Sequence, residues 1–405
     1  MHLSRNHFDT LFILAGVIAG ALCGSLWPDL ALKLKTVGDI FLNLLFVLVV
    51  PLVFFSISAA FYRMTSRKEL GCTLLKTLAA FAVIWVAGAA LSYVFTRLVD
   101  ISPSAGMTIS AAGESAASSG ASLADALTVS DFPLLFSKFH ILPLIIFSML
   151  IGAGAALAGE SCRRFQNFMD AGNAIVIKSM DILMKAAPVG LGCYFAGIIA
   201  SMGGGVLGGY FKVFWGYCAV SALLVIVVYP ALVLARQGRR GLGAYARHIL
   251  QPSITALATA SSSVAIPGNI AAAERMGLDS NVARSVVPLA TNLLKGGSVA
   301  LDVLKVVFLA SLTQTAIGGF FAPLTVIGIS IMSALVSGAV ANGGVTGEIL
   351  ICTLLGVKPE MAGVVMIIGT ICDIPATLVN SQSTVVAAAL VSPKRSCRVI
   401  GRRPC

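Results

Sequence analysis

Long apolar runs free of charge alternate with short polar connections along this chain. Residues 40–62, 77–96, 139–159, 186–211 and 213–235 each lack Asp, Glu, Lys and Arg. A membrane-crossing helix needs about 20 such residues, so each run predicts one span. Residues 10–28 predict a retained first helix, because Met1–Phe8 is short and polar and no small-residue cleavage site follows. Alternation at period two is absent, which argues against barrel strands. Basic residues gather in every second connection: Arg5; Arg63, Arg67 and Lys68; Arg163–Arg164; Arg236, Arg239, Arg240 and Arg247; and the tail "SPKRSCRVIGRRPC". The connections between them are poor in Lys and Arg. By the positive-inside rule this predicts eight spans in a cell membrane, with both termini cytoplasmic.

Composition supports the same class. Of 405 residues, 58% are hydrophobic and 11% charged, against about 25% charged in soluble domains. The net charge of +11 lies mostly in the connections, so it sets membrane orientation and does not point to nucleic acid. The nine cysteines form no CxxC pair, so neither a disulfide framework nor a metal site is predicted, and no cofactor. His2, His7, His140 and His248 fall outside the polar core and predict no proton relay.

The simple pattern fails beyond residue 248. "LQPSITALATASSSVAIPGNIAAAERMG" is apolar at its ends but carries Ser261, Ser262 and Ser263 and a Pro-Gly interruption at its centre. Basic residues flank it on both sides, which predicts a re-entrant hairpin from the cytoplasm. The charge-free run from Val306 to Gly347 is too long for one helix and breaks at "VANGG", predicting a second hairpin. Irregular backbone at membrane depth is tolerated only against protein or a wet cavity, and paired broken segments point to a transporter's binding site. The last span, Met361 to Ser392, holds Asp373, Thr377, Asn380 and Thr384 at spacings that share one helical face. Such a face predicts a functional lining, or else polar glue between helices. Lys295, in "TNLLKGGS", is a second ionisable group at membrane depth. Asp302 and Lys305 are three apart and predict a pair. Glu348, near the outer end of the second hairpin, is read as an interface marker. "SSSVAIP" has no His or Cys partner at a suggestive position, so no enzyme is predicted.

These segments resemble the dicarboxylate/amino acid:cation symporters. The resemblance covers nearly the whole chain: "VGDIFLNLLFVLVVPLVFFSI" (38–58) is similar to the second helix, "MDILMKAAPVG" (180–190) to the fifth, "SSSVAIP" (261–267) to the first hairpin tip, "PLATNLLKGGS" (288–298) to the interrupted seventh helix and "DIPATLVN" (373–380) to the eighth. It implies an all-α integral membrane protein with eight transmembrane helices, two re-entrant hairpins and inverted repeats. It also implies a homotrimer of elevator-type transporters. The division expected is scaffold helices one and two (1–69), transport-domain helix three (70–100), an external loop with helices four and five (101–205), the transport core (206–392) and a basic cytoplasmic tail (393–405).

The resemblance also assigns roles. Asp373 would hold a substrate ammonium, Asn380 a substrate carboxylate, and the hairpin serines would assist, with Ala376 and Thr377 completing the pocket. Where the family reads Asn-Met-Asp-Gly-Thr around bound sodium, this chain has Leu294, Lys295, Gly296, Gly297 and Ser298, and Thr384 replaces a carboxylate. Phe81, Ile84 and Trp85 stand at positions of another sodium site. These losses point away from sodium, with a proton as the alternative coupling ion, and make Lys295 a tethered cation that pairs with Asp373 or a direct anchor for an anionic substrate. Ala376 and Ala260 replace arginines that grip acidic side chains, which favours a neutral amino acid. The alternatives are a sodium- or proton-coupled dicarboxylate or acidic amino acid symporter, and an anion channel or non-transporting sensor on the same scaffold.

Overall fold

The computed structural model describes residues 5–65, 71–101, 128–137, 140–202, 205–315, 317, 321–339 and 344–393. The expected external loop (102–127), the tip of the second hairpin (340–343), Arg67, Lys68 and the basic tail beyond residue 393 lie outside them. No β-strand occurs among the described residues. The helices are α1 (Arg5–Leu26), α2 (Pro28–Thr65), α3 (Gly71–Leu98), α4 (Phe132–Leu135), α5 (Ile141–Ala158) and α6 (Arg163–Met184). They continue with α7 (Ala187–Met202), α8 (Gly205–Leu223), α9 (Tyr229–His248), α10 (Leu250–Thr259), α11 (Ile266–Arg275) and α12 (Ser280–Leu293). The last five are α13 (Gly296–Leu312), α14 (Ala322–Ala339), α15 (Gly344–Leu354), α16 (Ala362–Ile371) and α17 (Asp373–Val391).

Among the described residues, five helical segments are long and apolar enough to cross a membrane: Pro28–Ala59, Lys76–Leu98, Pro143–Met184, Leu207–His248 and Asp373–Val391. Boundaries differ from the charge-free runs where charges are paired or exposed. α2 starts at Pro28, where a missing N–H costs a helix nothing. It carries Lys35 and Asp39 because the two sit 3.0 Å apart and the ammonium lies over the Tyr194 ring. Lys212, expected between two spans, sits inside α8 on an exposed face. The expected last span is two helices, α16 and α17, broken at Cys372. Residues 224–228 form a π turn just before Pro230, whose ring lacks the N–H that would continue the α ladder.

The helices pack in two groups. In the first, α1, α5, α6 and α7 surround α2. Gly16, Gly20 and Gly24 recur every fourth residue on α1 and let it touch the backbone of α7. A Cβ at Gly20 would lie 2.1 Å from the Gly192 carbonyl oxygen, and one at Gly16 2.1 Å from that of Pro188. Small residues allow this approach where lipid supplies no hydrophobic drive. The second group gathers α3 and α8 to α17 around α13 and α17. α17 is almost wholly buried from Ala376 to Val391, so its polar residues meet protein and not lipid. Between the groups, the Tyr194 hydroxyl of α7 donates to the Glu360 carbonyl at 2.8 Å, beside a ring that packs on Gly363 of α16.

Candidate substrate site

Two broken elements define the site. The first is the hairpin α10–α11, turned by Ala260 in the left-handed region (φ 46°) and by Ser261–Ser263. It is pinned to α17 by polar contacts among buried residues. Asn269 Nδ2 donates to Ser381 Oγ at 3.0 Å and Gln382 Nε2 to Ser253 Oγ at 2.8 Å, while Tyr245 of α9 orients Gln382 by donating to its Oε1 at 3.0 Å. The second is the break between α12 and α13, where Lys295 adopts φ 41°, ψ 46°. A non-glycine residue in the left-handed region is uncommon, and here it turns the lysine side chain out of the helical path. The Trp85 indole N–H donates to the Leu294 carbonyl on one side of the break. On the other, Tyr217 donates to the Gly297 carbonyl at 2.9 Å.

Asn380 closes the first turn of α13 from the neighbouring helix. Its Oδ1 accepts from Gly297 N at 2.8 Å and Ser298 N at 3.3 Å, while Nδ2 donates to Ser298 Oγ at 3.3 Å. It therefore satisfies two of the amide groups that a helix start leaves open, a role the sequence reading missed. Gly297 makes the crossing possible: a Cβ there would lie 2.6 Å from the Ala376 carbonyl oxygen.

A cavity of about 930 Å³ opens between the two helix groups. It gathers Ser261, Ser262, Ser263, Lys295, Ser298, Asp373, Ala376, Thr377 and Asn380, all singled out in the sequence, on one wall. Ser56 and Asn173 of the first group, hydrogen-bonded at 2.5 Å, belong to the opposite side. Lys295 and Asp373 feel each other's charge, but neither closes a salt bridge with a described residue. Two expected site residues do not reach the cavity. Thr384 is fully buried and donates to the Ser381 carbonyl at 2.8 Å, because α17 runs past the end of the cavity one turn beyond Asn380. Gly296 is sealed behind Ile84, Tyr229 and Ser383.

Three more charged residues line the cavity. Lys305 Nζ lies 3.2 Å from Asp302 Oδ1 and 3.2 Å from Glu348 Oε1, all three buried. The expected Asp302–Lys305 pair is present. Glu348, read from the sequence as an interface marker, instead faces inward and completes a triad, since α15 packs against α14 and α16 and so brings its side chain to Lys305 of α13. No group of three metal-binding side chains converges among the described residues.

Residues 10–394 match the sodium:dicarboxylate symporter family. The chain belongs to that family. It is similar over most of its length to bacterial proteins named C4-dicarboxylate transport protein. The one from Delftia acidovorans is 29% identical over 94% of this chain and 88% of its own. Those from Rhizobium leguminosarum bv. trifolii and Anaeromyxobacter sp. are each 28% identical, over 88% and 89% of this chain and 82% and 83% of their own. This family member is thus a multi-pass membrane transporter and not an enzyme.

Proposed function

We propose that the protein carries C4-dicarboxylates across the cell membrane, with Lys295 as the anchor for one substrate carboxylate. The observation that carries this reading is the position of Lys295. Its left-handed backbone turns the side chain past Gly338 into the cavity, which the serine tip that precedes α11 also lines. Helix N-termini favour anions, and an ammonium adds a charge-assisted bond. The names of the relatives favour the same substrate class over a neutral amino acid. Asp373 holds the lysine by charge in the empty site. In the loaded site it accepts from a hydroxyl or ammonium next to a carboxylate, so malate and aspartate fit better than succinate. Asn380, occupied with α13, leaves the second carboxylate to the hairpin serines and Thr377.

In this reading α1, α2 and α5–α7 form a static scaffold. The other large group moves as one body, as an elevator, within a homotrimer with cytoplasmic termini. The site lies on the boundary between the groups, which suits such a cycle. Uptake of labelled succinate, malate, aspartate and alanine into proteoliposomes tests the substrate class. Dicarboxylate uptake that unlabelled malate inhibits is expected. Uptake of alanine alone would return the reading to a neutral amino acid, for which Ala376 in the cavity wall leaves room.

A further inference from the structure

The Asp302–Lys305–Glu348 triad has no part in the substrate reading above, and its construction is specific. Asp302 and Lys305 come from α13 and Glu348 from α15, while Ser333 of α14 donates to Asp302. α16 presents only a glycine to the group: a Cβ at Gly369 would lie 2.7 Å from Glu348 Oε1 and 3.3 Å from Lys305 Nζ. Four helices thus converge on one ammonium. The side chains are 5–7% exposed, yet all three acidic and basic members border the cavity. Without Lys305, two carboxylates and a serine hydroxyl would face one another in a low-dielectric wall. Hard cations bind to oxygen sets of that kind, and two carboxylates so placed either hold a cation or share a proton.

The broken helix follows the same rule with neutral donors. The Leu294 and Gly297 carbonyls that flank Lys295 are taken by the Trp85 indole and the Tyr217 hydroxyl. The Asn380 amide oxygen is taken by two backbone N–H groups. Oxygens that a cation would require are already satisfied by the chain itself.

We propose that Lys305 is a built-in cation that takes the place of a bound one between Asp302 and Glu348, so that this carrier completes its cycle without binding sodium or potassium. The inference rests on the reading of the protein as a carrier, but a binding measurement tests it without a known substrate. Purified protein is melted in rising sodium chloride, potassium chloride or choline chloride. A ligand that binds only the folded state raises the melting temperature. The wild type is expected to melt identically in all three salts. Lys305→Met is expected to melt lower and to gain several degrees in sodium or potassium over choline. Lys305→Met/Glu348→Gln, with one carboxylate removed, is expected to lose that gain. A specific sodium or potassium response in the wild type overturns the proposal, as does a folded Lys305→Met protein indifferent to both ions. Should Lys305→Met fail to fold, the wild-type comparison decides alone. In proteoliposomes, radioactive sodium entering with the substrate also overturns it. Absence of uptake of every dicarboxylate, with the melting pattern intact, would instead count against the substrate reading.

Discussion

Lys295 and Lys305 sit on the same broken helix and do opposite things with the same side chain. Lys305 is held between two carboxylates, so its charge is spent within the protein. Lys295 reaches the cavity with no salt bridge to a described residue, so its charge is available to a substrate. A hydrogen bond to a charged group is worth about 1.5–3 kcal/mol, and each 1.4 kcal/mol is about tenfold in affinity. Lys295→Met is therefore expected to raise the KM for succinate by about ten- to a hundredfold, with Lys295→Arg retaining part of the affinity. An unchanged KM in initial-rate uptake would remove the lysine from the site. Asn380 makes a different prediction. Asn380→Ala leaves two buried amides of α13 without partners, which costs about 1–3 kcal/mol. The melting temperature should fall accordingly, and a melt like that of the wild type would mean that water replaces the cap.

The break between α12 and α13 is where sequence and structure meet most closely. "TNLLKGGS" marked the interruption because a lysine and two glycines interrupt an apolar run. The first hairpin was legible for the same reason, since three serines before Pro267 and Gly268 cannot continue a lipid-facing helix. The pairing of Asp302 with Lys305 follows from helical spacing alone. What the sequence hid was every contact between distant elements. Glu348 lies 43 residues from Lys305, and only the folding back of the second hairpin joins them. Of the expected stripe Asp373, Thr377, Asn380 and Thr384, the first three line the cavity. Its far end, however, leaves the cavity, because helical periodicity says nothing about where a neighbouring helix begins. Gly297 gives this element its test. A Cβ there would press on a backbone oxygen that cannot rotate away, and overpacking of this kind costs about 1–3 kcal/mol. Gly297→Ala should push α13 from α17 and abolish uptake, whereas Gly154→Ala in α5, with open space around its Cβ, should leave uptake intact. Full activity in Gly297→Ala would show that the crossing is looser than described.

At the scale of the molecule, the question is whether the two helix groups slide past each other or stay fixed. The glycine stripe between α1 and α7 brings backbones into contact and suits a rigid body. The boundary between the groups is of another kind. It includes the cavity, and one polar link across it is the Tyr194 hydroxyl on the Glu360 carbonyl. A single part-buried hydrogen bond of this kind contributes about 0.5–1.5 kcal/mol net, small enough to break and remake in each cycle. Tyr194 and Gly363 offer a way to lock the boundary. A cysteine at Gly363 alone would collide with the Tyr194 ring, since a Cβ there lies 2.4 Å from a ring carbon. Replacing both residues removes the ring and leaves two thiols facing each other. In a background freed of the native cysteines, Tyr194→Cys/Gly363→Cys is expected to transport when reduced. It should stop when a short bifunctional thiol reagent bridges the groups, and recover on cleavage of the bridge. Substrate binding, read by protection against melting, should survive cross-linking, because the residues assigned to the substrate, Ser261–Ser263, Lys295, Asp373 and Thr377, all belong to one group and keep their mutual positions. Undiminished transport by the cross-linked protein would mean that the groups do not move relative to each other at α7 and α16. A moving body that carries the whole cavity wall would then have to be replaced by local gating at the hairpins.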